Sequence, residues 1–469
     1  MPSPTSPLPT TTLTTTGATA SKETRILYCL LAISLLSPLF ILSFSSSSTT
    51  TPASSSGSFP FAFSGHHFQY KQLILLNPNQ ADHSSLTPKP PSIAYFITGS
   101  NGDSQRMLRL LFAIYHPRNQ YLLHLDLTAP QSQRDELAVS VQSVPVFRAA
   151  QNVNVVGKAD FAYSRGSSAV ASTLHGAAIL LRFFSDWDWF INLSAADYPL
   201  VTQDDLLHIF SFLPKDLNFV NHTSHIGWRE SRRMKPIIID PGFYLTAKSD
   251  IFYATQKREF PNAYRLFTGL ASTILNREFV EFCVLGSDNL PRILLMYFSN
   301  MPSSQANYFQ TILCNSPELK KTIVNHNLHH VSWDTPPKRE PRALSLKDFN
   351  EMIQSGAAFG SRFLPDDPVL DRIDEEVLNR TAGKVIPGGW CLGDPKNDSC
   401  TVWGDVDVLR PGPGGKRLER RIVELLSSGT FHANQCDETL NEPKRVNQSV
   451  QNVTQDQNSV GSTEDPKRT

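Results

Sequence analysis

Short apolar runs alternate with longer stretches of helical spacing through the middle of the chain. Ala94-Tyr95-Phe96-Ile97-Thr98 stops at Gly99-Ser100-Asn101-Gly102. An apolar run bounded by turn residues predicts a buried strand. Over Asp103–Tyr115, Met107, Leu110, Leu111 and Ile114 fall on one helical face, and His116-Pro117 ends the pattern. Tyr121–Asp126 predicts a second strand that stops at a carboxylate. Asn152–Val156 predicts a third, followed by the polar loop Gly157–Gly166 and a helix over Ser167–Phe184. The aromatic and branched run Trp189–Leu193 fits a buried central strand. Helical or near-helical spacing returns over Asn276–Leu285, Arg292–Asn300 and Ser303–Cys314, with a short helix at Ser345–Gln354. Strands alternating with helices predict an α/β fold, a mostly parallel central sheet flanked by helices.

The Trp189 strand ends in Ser194-Ala195-Ala196-Asp197. Small residues and a carboxylate at a strand end fit the floor of a ligand site, because open α/β sheets bind ligands beyond the C-terminal ends of their strands. They fit equally a core strand whose Asp197 caps the helix around Asp204-Asp205-Leu206. Asp186-Trp187-Asp188 has the form of a DxD metal motif but precedes its strand, which favours a helix-to-strand turn. Arg410 to Gly415 is a Pro/Gly-rich loop followed by Lys416-Arg417. Its N–H groups and cations have the chemistry to hold a diphosphate, although Walker spacing is absent. Gly388-Gly389-Trp390-Cys391 is a second glycine-rich loop.

The ends differ in character. Residues 1–25 are Ser/Thr/Pro-rich and predict a disordered tail. Residues 26–44 carry no charge, are long enough to cross a bilayer, and follow Lys22 and Arg25. That charge bias predicts a signal anchor with a cytosolic N-terminus, a cleaved signal peptide being the rival. Residues 45–91 fit a flexible stem, 92–433 a folded domain, and 434–469 a disordered tail.

A net charge of zero gives no electrostatic case for nucleic acid. The six cysteines stand at 29, 283, 314, 391, 400 and 436, with no CxxC pair to mark a zinc site. Cys391 and Cys400 flank a loop and are the best pair for a disulfide, with reduced thiols as the alternative. Asn-x-Ser/Thr sequons occur at Asn192, Asn221, Asn379, Asn397, Asn447 and Asn452. Asn192 falls in the central strand, where a glycan would not fit, leaving Asn221, Asn379 and Asn397 as acceptors in the folded part.

Several segments together resemble the plant branch of the core-2/I-branching β-1,6-N-acetylglucosaminyltransferase family, which includes β-glucuronosyltransferases of arabinogalactan. They are Ala94–Asp126, Gly157–Gly166, Asp186–Asp205, Gly227–Leu245, Phe267–Leu295, Val324–Pro337, Gly388–Cys391 and Cys400–Leu418, in order. The resemblance implies a GT-A-like fold in a single-pass type II protein of the Golgi membrane, with its catalytic domain lumenal. It implies transfer of glucuronic acid or N-acetylglucosamine, with inversion, from a UDP-sugar to a glycan or proteoglycan, with no bound metal or other cofactor and with homo- or hetero-oligomers of glycosyltransferases as partners. Carried over by position, Asp126 resembles the nucleotide-contacting aspartate, and Arg410, Lys416 and Arg417 fall where the family places cations on the diphosphate. Arg229, Glu230 and Arg232 fall where it contacts acceptor, and Trp390 offers an aromatic platform for a sugar ring.

One position departs from the family pattern. Its catalytic base is the Glu of a Ser-Ser-Pro-Glu-Gly-Tyr-Phe segment, whereas Ser303–Phe309 here is Ser-Ser-Gln-Ala-Asn-Tyr-Phe. Ala306 occupies the base position and cannot accept a proton. Either another carboxylate serves, with Glu278, Glu281 and Asp288 as candidates, or the protein is a catalytically reduced member that binds sugar or partner enzymes.

Overall fold

The structure is a computed structural model describing residues 88–431 and 436, apart from 245–249, 337, 339, 382, 394–399, 401, 428 and 430. The expected anchor at 26–44, most of the stem, the tail from 437, and the sequons at Asn397, Asn447 and Asn452 lie outside these residues. Among the described residues no helix is long and apolar enough to cross a membrane.

Strand β1 (Ile93–Gly99) leads into α1 (Ser104–Ala113) and then β2 (Gln120–Leu125). Helices α2 (Gln131–Ser143) and α3 (Pro145–Ala150) return the chain to β3 (Val153–Val155). Helix α4 (Ser168–Phe183) leads to β4 (Trp189–Ser194), which a tight turn joins to β5 (Asp197–Pro199) and α5 (Gln203–Ser211). Next come β6 (Asn218–Phe219), β7 (His222–Thr223), α6 (Trp228–Met234), β8 (Pro236–Ile239) and β9 (Phe252–Lys257). Then follow β10 (Thr268–Gly269), β11 (Ile274–Asn276), α7 (Arg277–Val284), α8 (Asn289–Phe298) and α9 (Tyr308–Asn315). The last elements are β12 (Ile323–Val324), β13 (His329–Val331), α10 (Phe349–Gln354), β14 (Phe359–Ser361), α11 (Pro368–Glu376) and α12 (Pro413–Leu426).

The central sheet has the order β12-β6-β11-β4-β1-β2-β3. Its pairs are parallel except where β11 runs antiparallel to β4 and β6. Both faces are covered, as the continuous apolar runs require. Alternation along β1 divides the core: Ile93, Tyr95 and Ile97 join one apolar cluster, Ala94 and Phe96 the other. Asp188 accepts a hydrogen bond from the Ser92 N–H at 2.9 Å, so the Asp-Trp-Asp segment fixes the strand entry.

The Pro/Gly-rich run at 411–415 is the start of a helix and not a free loop. Pro413 stands in the first turn of α12, where its missing N–H costs nothing. A Cβ on Gly414 would meet the Asp205 carboxylate at 2.4 Å, so glycine lets the helix end seat on that side chain. Among the described cysteines, Cys391 is joined to Cys400 and Cys314 to Cys436, leaving Cys283 as a free thiol.

Candidate active site

Strands β1, β2 and β4 run parallel in register, Thr98 pairing with both His124 and Ser194, so their C-terminal ends finish side by side. The cleft opens there, with a cavity of about 420 Å³. Asp126, immediately after β2, lines it. Its Oδ1 accepts the Thr128 N–H at 3.0 Å. Burial pushes its carboxyl above the usual range, and the Thr128 hydroxyl and N–H pull it back in part. Arg106 of α1 is a cation on the lining. It pairs with Asp103 at 2.7 Å and donates to the Phe363 carbonyl at 2.9 Å.

Asp197 also lines the cavity, and the structure decides between its two readings. Thr202 caps α5 in a capping box with Asp205, so Asp197 is not the cap. Its Oδ2 accepts the Ser194 N–H at 2.7 Å, while its Oδ1 is buried without a hydrogen-bond partner. A small sheet holds it: β14 pairs antiparallel with β5 and parallel with β13. Asp197 stands opposite Ser361, which stands opposite Val331, while His329 stands opposite Phe359. Because strand side chains repeat every two residues, His329 shares the face of Val331, Ser361 and Asp197. His329 lines the same cavity, and its Nε2 is buried and unpartnered.

The turn Ser304–Ala306 reaches the cavity through Gln305. Gln305 lines the cavity and donates to the Thr173 hydroxyl at 3.2 Å, while Ala306 is half-buried beside it. The candidate replacement carboxylates are elsewhere: Glu281 pairs with Arg277 at 2.7 Å, Asp288 caps α8, and Glu278 lies in the first turn of α7. Among the described residues, the carboxylates on the cavity lining are Asp103, Asp126 and Asp197.

Other expected site residues lie off the lining. Arg410, Lys416 and Arg417 belong to the segment packed on α5. The Gly412 N–H donates to Asp205 at 2.6 Å and the Arg410 N–H to Asp204 at 2.7 Å. Two N–H groups of this segment are therefore taken by internal carboxylates. Arg417 donates to the Leu200 carbonyl at 3.4 Å, and Lys416 is exposed. Trp390 is 0% exposed, packed edge-on against Tyr115, His116 and Trp403, so it is a core residue and no platform for a sugar. Arg229, Glu230 and Arg232 sit on α6, with Glu230 paired to Arg233 at 3.2 Å and both arginines over the exposed Trp228 ring. They do not line the cavity. Asn379 is exposed and Asn221 half-buried, whereas Asn192 is buried and bonded to Ala271 and Thr273.

Sequence reasoning missed His329, Arg106 and Gln305. The segment Val324–Pro337 holds three histidines, 326, 329 and 330, and nothing in their spacing says which one faces a cleft. An arginine on an amphipathic helix likewise carries no sign of the cavity at its side.

Comparison with known proteins defines the class to which this cleft belongs. The family model described as Core-2/I-Branching enzyme matches residues 93–353. The chain is 54% identical over 354 residues to beta-glucuronosyltransferase GlcAT14A of Arabidopsis thaliana, covering 75% of this chain and 79% of that protein. It is 54% identical over 346 residues to GlcAT14B of the same plant, with 73% and 80% covered. It is 48% identical over 360 residues to its GlcAT14C, with 77% and 88% covered. An α/β glycosyltransferase is therefore the class of protein defined here. The chain belongs to the Core-2/I-Branching enzyme family.

Proposed function

We propose that this glycosyltransferase moves glucuronic acid from UDP-glucuronic acid to a β-linked galactan, such as that of arabinogalactan. The carrying observation is the cleft at the ends of β1, β2 and β4 with Asp126 on its lining, in a chain about half identical to three plant β-glucuronosyltransferases. Asp126 binds the nucleotide, and Asn192, which bridges the Ala271–Thr273 segment to β4, holds the sugar side of the cleft. Transfer inverts the anomeric centre and needs no bound metal. The protein is a type II membrane protein of the Golgi, anchored through residues 26–44, with glycans on its lumenal side at sites such as Asn379. The purified lumenal domain is expected to transfer from UDP-glucuronic acid to galactan oligomers in EDTA. No transfer from it or from UDP-N-acetylglucosamine refutes the reading. Protease protection of microsomes checks topology: digestion of the bulk of the chain from the cytosolic side refutes the anchor.

Ala306 favours a second reading, a catalytically reduced member that binds sugar or partner enzymes. UDP binding without turnover, with turnover gained in Ala306→Glu, is its expected signature.

A further inference from the structure

We propose that His329 is the general base of transfer, standing in for the carboxylate absent at Ala306, with Asp197 as the residue that supports it; this rests on the glycosyltransferase reading above.

The geometry of the pair carries the argument. His329 is 4% exposed and Asp197 2%, and both line the cleft. Asp197 Oδ1 and His329 Nε2 are buried without hydrogen-bond partners, so the two are not bonded to each other. Buried polar atoms without partners are rare and costly, and two on one face of one small sheet mark the place where a ligand supplies the missing donors. Both atoms are acceptors. The His329 Nδ1 lies 2.9 Å from the Asn327 carbonyl, which accepts only, so Nδ1 carries the ring hydrogen and Nε2 presents its lone pair to the cleft. The Phe359 ring stacks against the imidazole at 5.1 Å between centroids and fixes its plane. A sugar hydroxyl seated here donates to Nε2, which is the arrangement for proton abstraction.

The chemistry balances on these atoms. The acceptor hydroxyl gives its proton to Nε2, and its oxygen forms the bond to the anomeric carbon. The bond from that carbon to the phosphate oxygen breaks, and UDP leaves with the electron pair. The imidazolium passes its proton to water at the open cleft. Asp197 stabilises the imidazolium as it forms. Burial favours the neutral ring in the free enzyme, and the Asp197 carboxylate opposes that effect. His326, in the turn before β13, also acts on the ring, and the other charged groups on the cavity lining are Asp103, Arg106 and Asp126. Phe359 from β14 is uncharged.

The test compares wild type, His329→Gln, Asp197→Asn, Ala306→Glu and the double variant Ala306→Glu/His329→Gln, with UDP-glucuronic acid and galactan oligomers. His329→Gln keeps an acceptor but cannot take a proton, so kcat is expected to fall ~10²-fold or more with donor KM little changed. A carboxylate at position 306 is expected to recover turnover in the double variant. Asp197→Asn removes the charge that favours imidazolium, so the acid limb of the kcat profile is expected to move to lower pH. If His329→Gln does not fold, that limb carries the test, and an unmoved limb overturns the proposal. Full kcat in His329→Gln, or a change confined to KM, overturns it and leaves the glycosyltransferase reading intact. An inactive wild type with an active Ala306→Glu also overturns it, while keeping the donor site. Inactivity of both overturns the two readings together.

Discussion

Tyr198 donates its hydroxyl hydrogen to Asp374 at 2.6 Å and accepts one from Arg380 at 2.7 Å, tying β5 to α11 across a sequence separation of 176. Arg380 pairs with Asp374 at 2.6 Å, and Arg109 of α1 meets the same carboxylate at 2.8 Å. The neighbour of Tyr198 is Asp197, so this network holds the strand that presents Asp197 to the cleft. Removing one partner strands the remaining charges. Asp374→Asn is expected to cost about 3–5 kcal/mol, the usual loss on breaking a buried ion pair. Tyr198→Phe is expected to cost about 1–3 kcal/mol. Urea unfolding checks both, and an Asp374→Asn midpoint equal to wild type refutes the role.

Lys416 and Arg417 lie away from the cleft and Arg106 lies on it. Changing Lys416 and Arg417 together to Ala is therefore expected to leave UDP affinity unchanged by calorimetry. Arg106→Ala is expected to weaken it about tenfold, or about 1.4 kcal/mol. The reverse ranking would restore the α12 cations to the donor site.

Stability is expected to fall in mild acid. Burial holds His116 at about 3 and His124, His222 and His326 at about 4, against 6.5 for a free imidazole. Between those values the unfolded chain binds protons that the folded chain does not, so stability rises with pH through this window. It is complete above 6.5 and is lost as pH falls toward 4. Asp348, held at about 2 by Arg342, adds a loss at still lower pH. The raised carboxyls of Asp126 and Asp204 act in the opposite sense, but the histidines outnumber them. Denaturation midpoints from pH 7.5 to 4.5 check this, and a flat profile contradicts it.

In the His329→Gln background, Ala306→Glu is expected to raise turnover, by up to the ~10²–10⁴-fold of a positioned base. The turn Ser304–Ala306 stands beside the cleft through Gln305, and Ala306 is half-buried. Single-turnover assays at saturating donor measure it. No gain in the variant shows that this turn no longer addresses the acceptor hydroxyl.

Periodicity alone determined the strands β1, β2 and β4, the helices α1 and α4 and the alternating α/β order, because each is a local run whose apolar spacing repeats every two residues or follows a helical face. It also determined that Asp126 and Asp197 follow strands, since a carboxylate after an apolar run is visible in one dimension. What Asp197 does there was decided only by tertiary structure: Thr202 takes the cap, and β14 lies between β5 and β13. The same holds for His329, brought onto the sheet face of Asp197 through β14, which pairs with both β13 and β5. The glycine-rich start of α12 had the local chemistry of an anion cradle, and only packing showed that Asp205 already fills it. Trp390 was an aromatic residue in a loop until the fold surrounded it with Tyr115, His116 and Trp403. Local pattern records what a segment can form by itself, whereas the occupant of a helix end or the face of a ring depends on residues distant in the chain.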